Sequence, residues 1–142
     1  MLNFKKYYQN GINSALDTKN NIALINNAID HFKSELEDAS DNKLTIKTRT
    51  ANIADVFKKT FLNDINADLN DIFISICLMD DPSKSEDITK LEFSSTGFPC
   101  SIYIEANRFT YSTKEALLQG FGDLLQNQTT GSKILRLLNN TP

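Results

Sequence analysis

The sequence predicts an α+β fold, and three observations carry that expectation. Apolar residues recur at helical spacing over the first 36 positions, the segment DIFISICLM is β-branched and almost wholly apolar, and short alternating segments follow it as far as residue 112 before helical spacing returns. Helices set against a mostly antiparallel sheet are what such an order implies. At 142 residues the chain has the size of one domain, so residues 1–142 are expected to share a single core. An apolar fraction of 40% with 23% charge separates it from disordered chains, which are poorer in apolar residues and richer in charge.

The elements follow in chain order. Phe4, Tyr8, Ile12 and Leu16 stand four apart on one drifting helical face, weakened by Gly11. Asp17 and Thr18 offer an end and a new N-cap, and Ile22, Ile25, Ile29, Phe32 and Leu36 then recur at steps of three and four. The expectation is an N-terminal helical hairpin. Its narrow second seam faces either its own core or a partner helix, and spacing alone leaves both open.

EDASDN breaks that helix, and LTIKTRT alternates as a short strand with one basic face. Thr50 can cap a third helix through Ile53, Val56, Phe57 and Phe61. DIFISICLM reads as an interior strand covered on both faces. DDPSKSED is polar and proline-bearing, hence a loop, and ITKLEFSST resumes alternation until Gly97 and Pro99 turn the chain. CSIYIE and RFTYS form a hairpin across Ala106-Asn107, which completes a four-stranded antiparallel meander. Ser112 and Glu115 have the spacing of a capping box, predicting a helix from Thr113. Gly120 and Gly122 within it suggest close packing. Thr129-Thr130-Gly131-Ser132 separates this helix from a short last one, KILRLL, giving two C-terminal helices.

The charge is unevenly spread. Residues 61–105 carry Asp64, Asp68, Asp71, Asp80, Asp81, Glu86, Asp87, Glu92 and Glu105 against only Lys84 and Lys90, while both flanks are weakly positive. Nucleic-acid binding requires the opposite, a basic stripe, and only Arg49, Arg108 and Arg136 are arginine. Direct nucleic-acid binding is therefore not expected. No apolar run reaches the roughly 20 residues of a membrane span, and MLNFKKYYQNGINS lacks the pattern of a secretion signal, so the expectation is a cytoplasmic protein without membrane contact.

Chemistry-bearing motifs are few. His31 is the one histidine, and Cys77 and Cys100 lie inside apolar segments without a C-x-x-C pair, so buried reduced thiols are expected and no catalytic residue, metal site or cofactor is nominated. Asp64-Ile65-Asn66-Ala67-Asp68 imitates the start of a calcium loop, but Leu69 stands where its glycine belongs and Ser75 where its closing glutamate belongs. Thr130-Gly131-Ser132-Lys133 lacks the rest of a phosphate loop.

What remains is the acidic middle third. Excess negative charge steers positively charged partners. The expected function is a non-enzymatic, protein-binding inhibitor of the immunity-protein or phage anti-defence type, occluding a basic partner such as a nuclease or toxin. Its candidate partner-binding residues are Asp64, Asp68, Asp71, Asp80, Asp81, Glu86, Asp87 and Glu92. One alternative is a small-ligand-binding or sequestering oligomer with pockets lined by Tyr103, Phe109 and Tyr111. Another is an acidic dimeric secretion chaperone or adaptor. A homodimer through the N-terminal helices is compatible with all three.

Overall fold

The computed structural model describes residues 2–50 and 71–139. The helix expected through Ile53, Val56, Phe57 and Phe61, and the calcium-loop imitation at 64–68, lie outside them.

Helix α1 runs unbroken from Phe4 to Ala39, 36 residues and about 54 Å at 1.5 Å per residue. The expected hairpin is therefore one helix. Thr18 does not cap a second helix; its hydroxyl donates to the Ser14 carbonyl at 3.1 Å, the bond an interior helical threonine makes. Asp17 and Thr18 inside a helix cost only about 0.7 kcal/mol each relative to alanine, too little to break it. The helix begins at Asn3, whose side chain accepts from the Lys6 amide, and ends where EDASDN was expected to end it. There Asp41 and Asn42 adopt left-handed backbone, which short polar residues tolerate, and the Ser40 hydroxyl accepts from the Leu44 amide at 3.0 Å.

Five strands follow in a meander: β1 (Leu44–Thr50), β2 (Ile72–Leu78), β3 (Ser85–Ser94), β4 (Gly97–Ile104) and β5 (Asn107–Tyr111). They form one antiparallel sheet in the order β1-β2-β3-β4-β5. The basic strand β1 joins the expected four, pairing from Leu44 with Leu78 to Thr50 with Ile72. Ile74 to Leu78 are all buried, so β2 is covered on both faces as its composition predicted.

The strand ends differ from expectation in three places. β3 starts at Ser85, inside the tract read as a loop, because Ser85, Glu86 and Asp87 pair with Cys77, Ile76 and Ser75. The chain reverses at Ser95-Thr96 rather than at Gly97 and Pro99, and Pro99 sits in an irregular stretch of β4 where no ladder amide is required. Gly97, at φ +92°, is needed there, since a side chain would press on Asn21 of α1. The last hairpin turns on Glu105-Ala106, one residue earlier than expected, with Glu105 at φ 58° and Asn107 paired to Ile104.

β3 bends midway. Ile88 is an extra residue between the pairs Ile74–Thr89 and Ser75–Asp87. On the β4 side the Thr89 hydroxyl accepts from the Tyr103 amide (2.9 Å) and donates to its carbonyl (2.7 Å), standing in for a ladder rung.

Helices α2 (Lys114–Gln126) and α3 (Gln128–Asn139) complete the α+β fold. Thr113, not Ser112, caps α2 by accepting from the Ala116 amide, so Glu115 falls too early to close a capping box. Thr129 to Ser132 lie inside α3, whose first turn is capped by Asn127. Gly120 packs against the Tyr111 ring, whereas a side chain at Gly122 would meet open space.

One core draws on all of this. Ile25, Ile29, Phe32 and Leu36 of α1 meet Leu44, Ile46, Ile74, Ile76, Leu91, Ile102, Leu117, Phe121, Leu124 and Leu137, which assigns these four seam residues to the interior; Ile22, the fifth, is half-buried. Phe32 stacks on Phe121 with ring centroids 4.6 Å apart. Phe121→Ala should cost about 3–5 kcal/mol in urea unfolding. Phe4, 72% exposed, should give less than about 0.5 kcal/mol when changed to Ala. Equal effects would contradict this placement of the core.

Candidate functional site

Two surfaces merit consideration, the acidic residues and the N-terminal half of α1. Asp64 and Asp68 lie outside the described residues. Four of the other candidates sit on or beside the strands and are matched by cations from elsewhere in the chain. Asp87 meets Arg49 at 2.6 Å, Glu86 meets Arg136 at 3.2 Å, and Glu92 meets Arg108 at 3.2 Å and Lys90 at 3.5 Å. Asp71 lies 3.7 Å from Lys90. All three arginines of the chain thus return to its acidic third.

The fold also supplies neutral donors. Ser75 donates to Asp87 at 2.5 Å, and Tyr103 to Glu92 at 2.6 Å. Arg49 lies 4.3 Å above the Phe73 ring, so one guanidinium serves an aromatic face and a carboxylate together. Asp80 and Asp81 occupy the β2–β3 turn, where Asp81 accepts from the Ser83 hydroxyl at 2.6 Å. No described residue forms an ion pair with Asp80. Among the described candidates, the acidic surface that stays open to a partner narrows to this turn.

The second surface was only half legible in the sequence. Every residue from Leu2 to Asp17 is exposed, including Phe4 (72%), Tyr8 (68%), Tyr7 (55%) and Leu16 (51%). The stripe Phe4, Tyr8, Ile12, Leu16 was visible as spacing. Its exposure was not, because the hairpin expectation gave it a core. The signal that could have found it is the missing charge from Tyr7 to Leu16, which leaves aromatic rings among neutral polar groups.

The other candidates are dispersed. Tyr103 lines a cleft of about 250 Å³ with Phe73, Thr129, Thr130 and Lys133, but Phe109 and Tyr111 do not border it. His31 lies exposed on α1, 3.5 Å from Glu35. Among the described residues, no group of three or more His, Cys, Asp or Glu is placed to hold a metal ion, and no helix is long and apolar enough to cross a membrane. Cys77 and Cys100 are free thiols, each 1% exposed, and burial raises both, Cys100 to about 11. No protein-family model, curated protein or solved structure matches the chain.

Two measurements check this chemistry. Partial burial works against ionised Asp87, but the hydrogen bonds from Ser75 and Arg49 and the charges of Arg49 and Lys133 together hold its carboxyl below the ordinary value. Its stabilisation is therefore complete above the unfolded value of about 3.9 and is lost as pH falls through the lower folded value. Asp87→Asn should remove that slope, at most about 1 kcal/mol for so exposed a pair, and an unchanged acid limb would contradict the assignment. Both cysteines should label with a thiol reagent only as fast as the protein opens; rapid labelling at pH 8 would show that they are not interior.

Proposed function

We propose that this protein acts by binding another polypeptide and is not an enzyme. The observation that supports this is the N-terminal half of α1, which leaves three aromatic rings and two aliphatic side chains exposed. Isolated apolar residues on a surface are ordinary, but a contiguous patch of several hundred Å² marks an interaction site. Helical presentation suits a protein partner, which reads such a face as anchors three and four residues apart.

The inhibitor reading, with a basic target such as a nuclease or toxin, is kept on narrower ground. Asp80 and Asp81 at the β2–β3 turn are its anchors, with the ion-paired Glu86, Asp87, Asp71 and Glu92 contributing a weaker field. Exposed charges of this kind act mainly on the association rate.

Cross-linked affinity purification from the native host tests both parts, using wild type, Tyr8→Glu/Ile12→Glu and Asp80→Lys/Asp81→Lys. The helix variant should lose polypeptides that wild type retains. The turn variant should associate more slowly with a basic target, with the deficit shrinking at high salt. Identical capture by wild type and the helix variant would refute polypeptide binding by α1, and equal association rates at low salt would remove the basic-target reading.

A further inference from the structure

Four polar side chains are buried among the described residues, those of Ser75, Thr89, Ser101 and Thr130. Three have partners inside the fold: Ser75 donates to Asp87, Thr89 bonds both backbone groups of Tyr103, and Ser101 pairs with Thr110 at 2.9 Å. Thr130 differs. It is 3% exposed, and no group among the described residues meets its hydroxyl. Buried hydroxyls are normally satisfied, and one that the chain itself leaves open points to a partner from outside. Thr130 lines the cleft of about 250 Å³ that Phe73, Tyr103 and Lys133 also border.

We propose that this cleft binds a small carboxylate with an apolar body, with the Thr130 hydroxyl and amide as donors and Lys133 as the opposing charge. The binding end is the start of α3. Asn127 spends its carboxamide on the Thr129 amide and its carbonyl on the Gly131 amide, whereas the Thr130 amide between them meets no described acceptor. The first turn carries no acidic side chain, so nothing in it offsets the partial positive charge of the helix terminus, about half a unit. Three residues on, Lys133 follows Thr130 along one face of the helix. Its ammonium donates to the Asp87 carbonyl at 2.7 Å, a neutral oxygen, and it forms no ion pair with a described residue. Thr130-Gly131-Ser132-Lys133, too short for a phosphate loop, thus brings two anion-binding groups within one turn.

Charge limits the ligand to one negative group. Lys90 and Lys133 line the cleft together with Asp87 and Glu105, so the side-chain charges cancel and the helix terminus supplies the surplus. Both carboxylates already have donors, Asp87 in Ser75 and Arg49, and Glu105 in the Thr129 hydroxyl at 3.0 Å. A phosphate dianion would share a small space with both, whereas a carboxylate matches the surplus. Phe73, Ile88 and Leu124 give the remaining wall the apolar character that a hydrocarbon body needs. The volume lies just under the roughly 300 Å³ at which drug-sized sites begin, which suits a single ring or a short chain.

Benzoate is the probe, with benzamide as its neutral counterpart and inorganic phosphate as an anion without an apolar body. NMR titration of the intact chain should give a benzoate dissociation constant of about 1 mM or tighter, with benzamide and phosphate each at least roughly tenfold weaker. Thr130→Val keeps nearly the same shape and removes the hydroxyl. It should weaken benzoate binding roughly tenfold or more and leave the melting temperature unchanged or raised, because no bond inside the chain is lost. Lys133→Gln should also weaken benzoate binding and narrow its advantage over benzamide. Absence of benzoate binding, or benzamide binding equally well, would overturn the proposal. So would phosphate binding as tightly as benzoate, which would leave an anion site without selectivity. A Thr130→Val variant that melts lower and binds benzoate as wild type does would assign the hydroxyl to the fold and equally overturn it. The cleft shares no residue with the exposed half of α1, so Tyr8→Glu/Ile12→Glu should bind benzoate normally, and either proposal can fail without the other.

Discussion

β2 sets the terms for the rest of the fold. Ile72 to Leu78 is apolar on both faces, and a strand of that kind is stable only with neighbours on both edges and cover above and below. β1 and β3 supply the edges, and α1, α2 and α3 contribute to the core that its isoleucines enter. The bend in β3 belongs to the same requirement. By inserting Ile88 and letting the Thr89 hydroxyl replace a rung toward Tyr103, the sheet curves without leaving the Tyr103 backbone groups unsatisfied inside it.

The charge pattern acquires its meaning only after folding. Along the sequence the acidic third is separate from its basic flanks. In the folded chain Arg49 from β1, Arg108 from β5 and Arg136 from α3 reach Asp87, Glu92 and Glu86 in turn. Each is a surface pair worth about 0–1 kcal/mol, so their main effect is on specificity of register and docking rather than on total stability. Among the described residues, charge that looked available for a partner is largely spent within the chain, and the turn at Asp80 and Asp81 is what remains.

Legibility followed the range of the interaction. The α+β class, the interior strand, the last hairpin and the helix after it were readable, because apolar periodicity and turn chemistry are local. Misreadings came where distant partners decided. Glu86 and Asp87 look like loop residues until β2 lies beside them. Asn107 resembles a turn residue, yet Glu105 takes the left-handed position, with its carboxylate accepting from Thr129 at 3.0 Å. Asp17 and Thr18 have cap chemistry but no competing partner strong enough to end a helix. The three-arginine return was invisible, since nothing in spacing says which carboxylate a distant guanidinium will reach.

The unbroken helix carries a physical implication of its own. Residues 21–39 are held by the body and nucleate the helix, so the arm has only propagation to accomplish. Yet that stretch contains Gly11, Asn10, Asn13, Ser14 and Thr18, and at about 0.5–1 kcal/mol each their unfavourable propensities sum to several kcal/mol against a lone helix in water. Neutral polar residues contribute few stabilising side-chain pairs in return; Gln9 with Asn13 at 3.2 Å is one. The rings of the arm, which gain nothing in water, gain most on the burial that the proposed polypeptide binding would bring. Helicity of the arm and occupation of its apolar face are therefore one coupled equilibrium, with each stabilising the other.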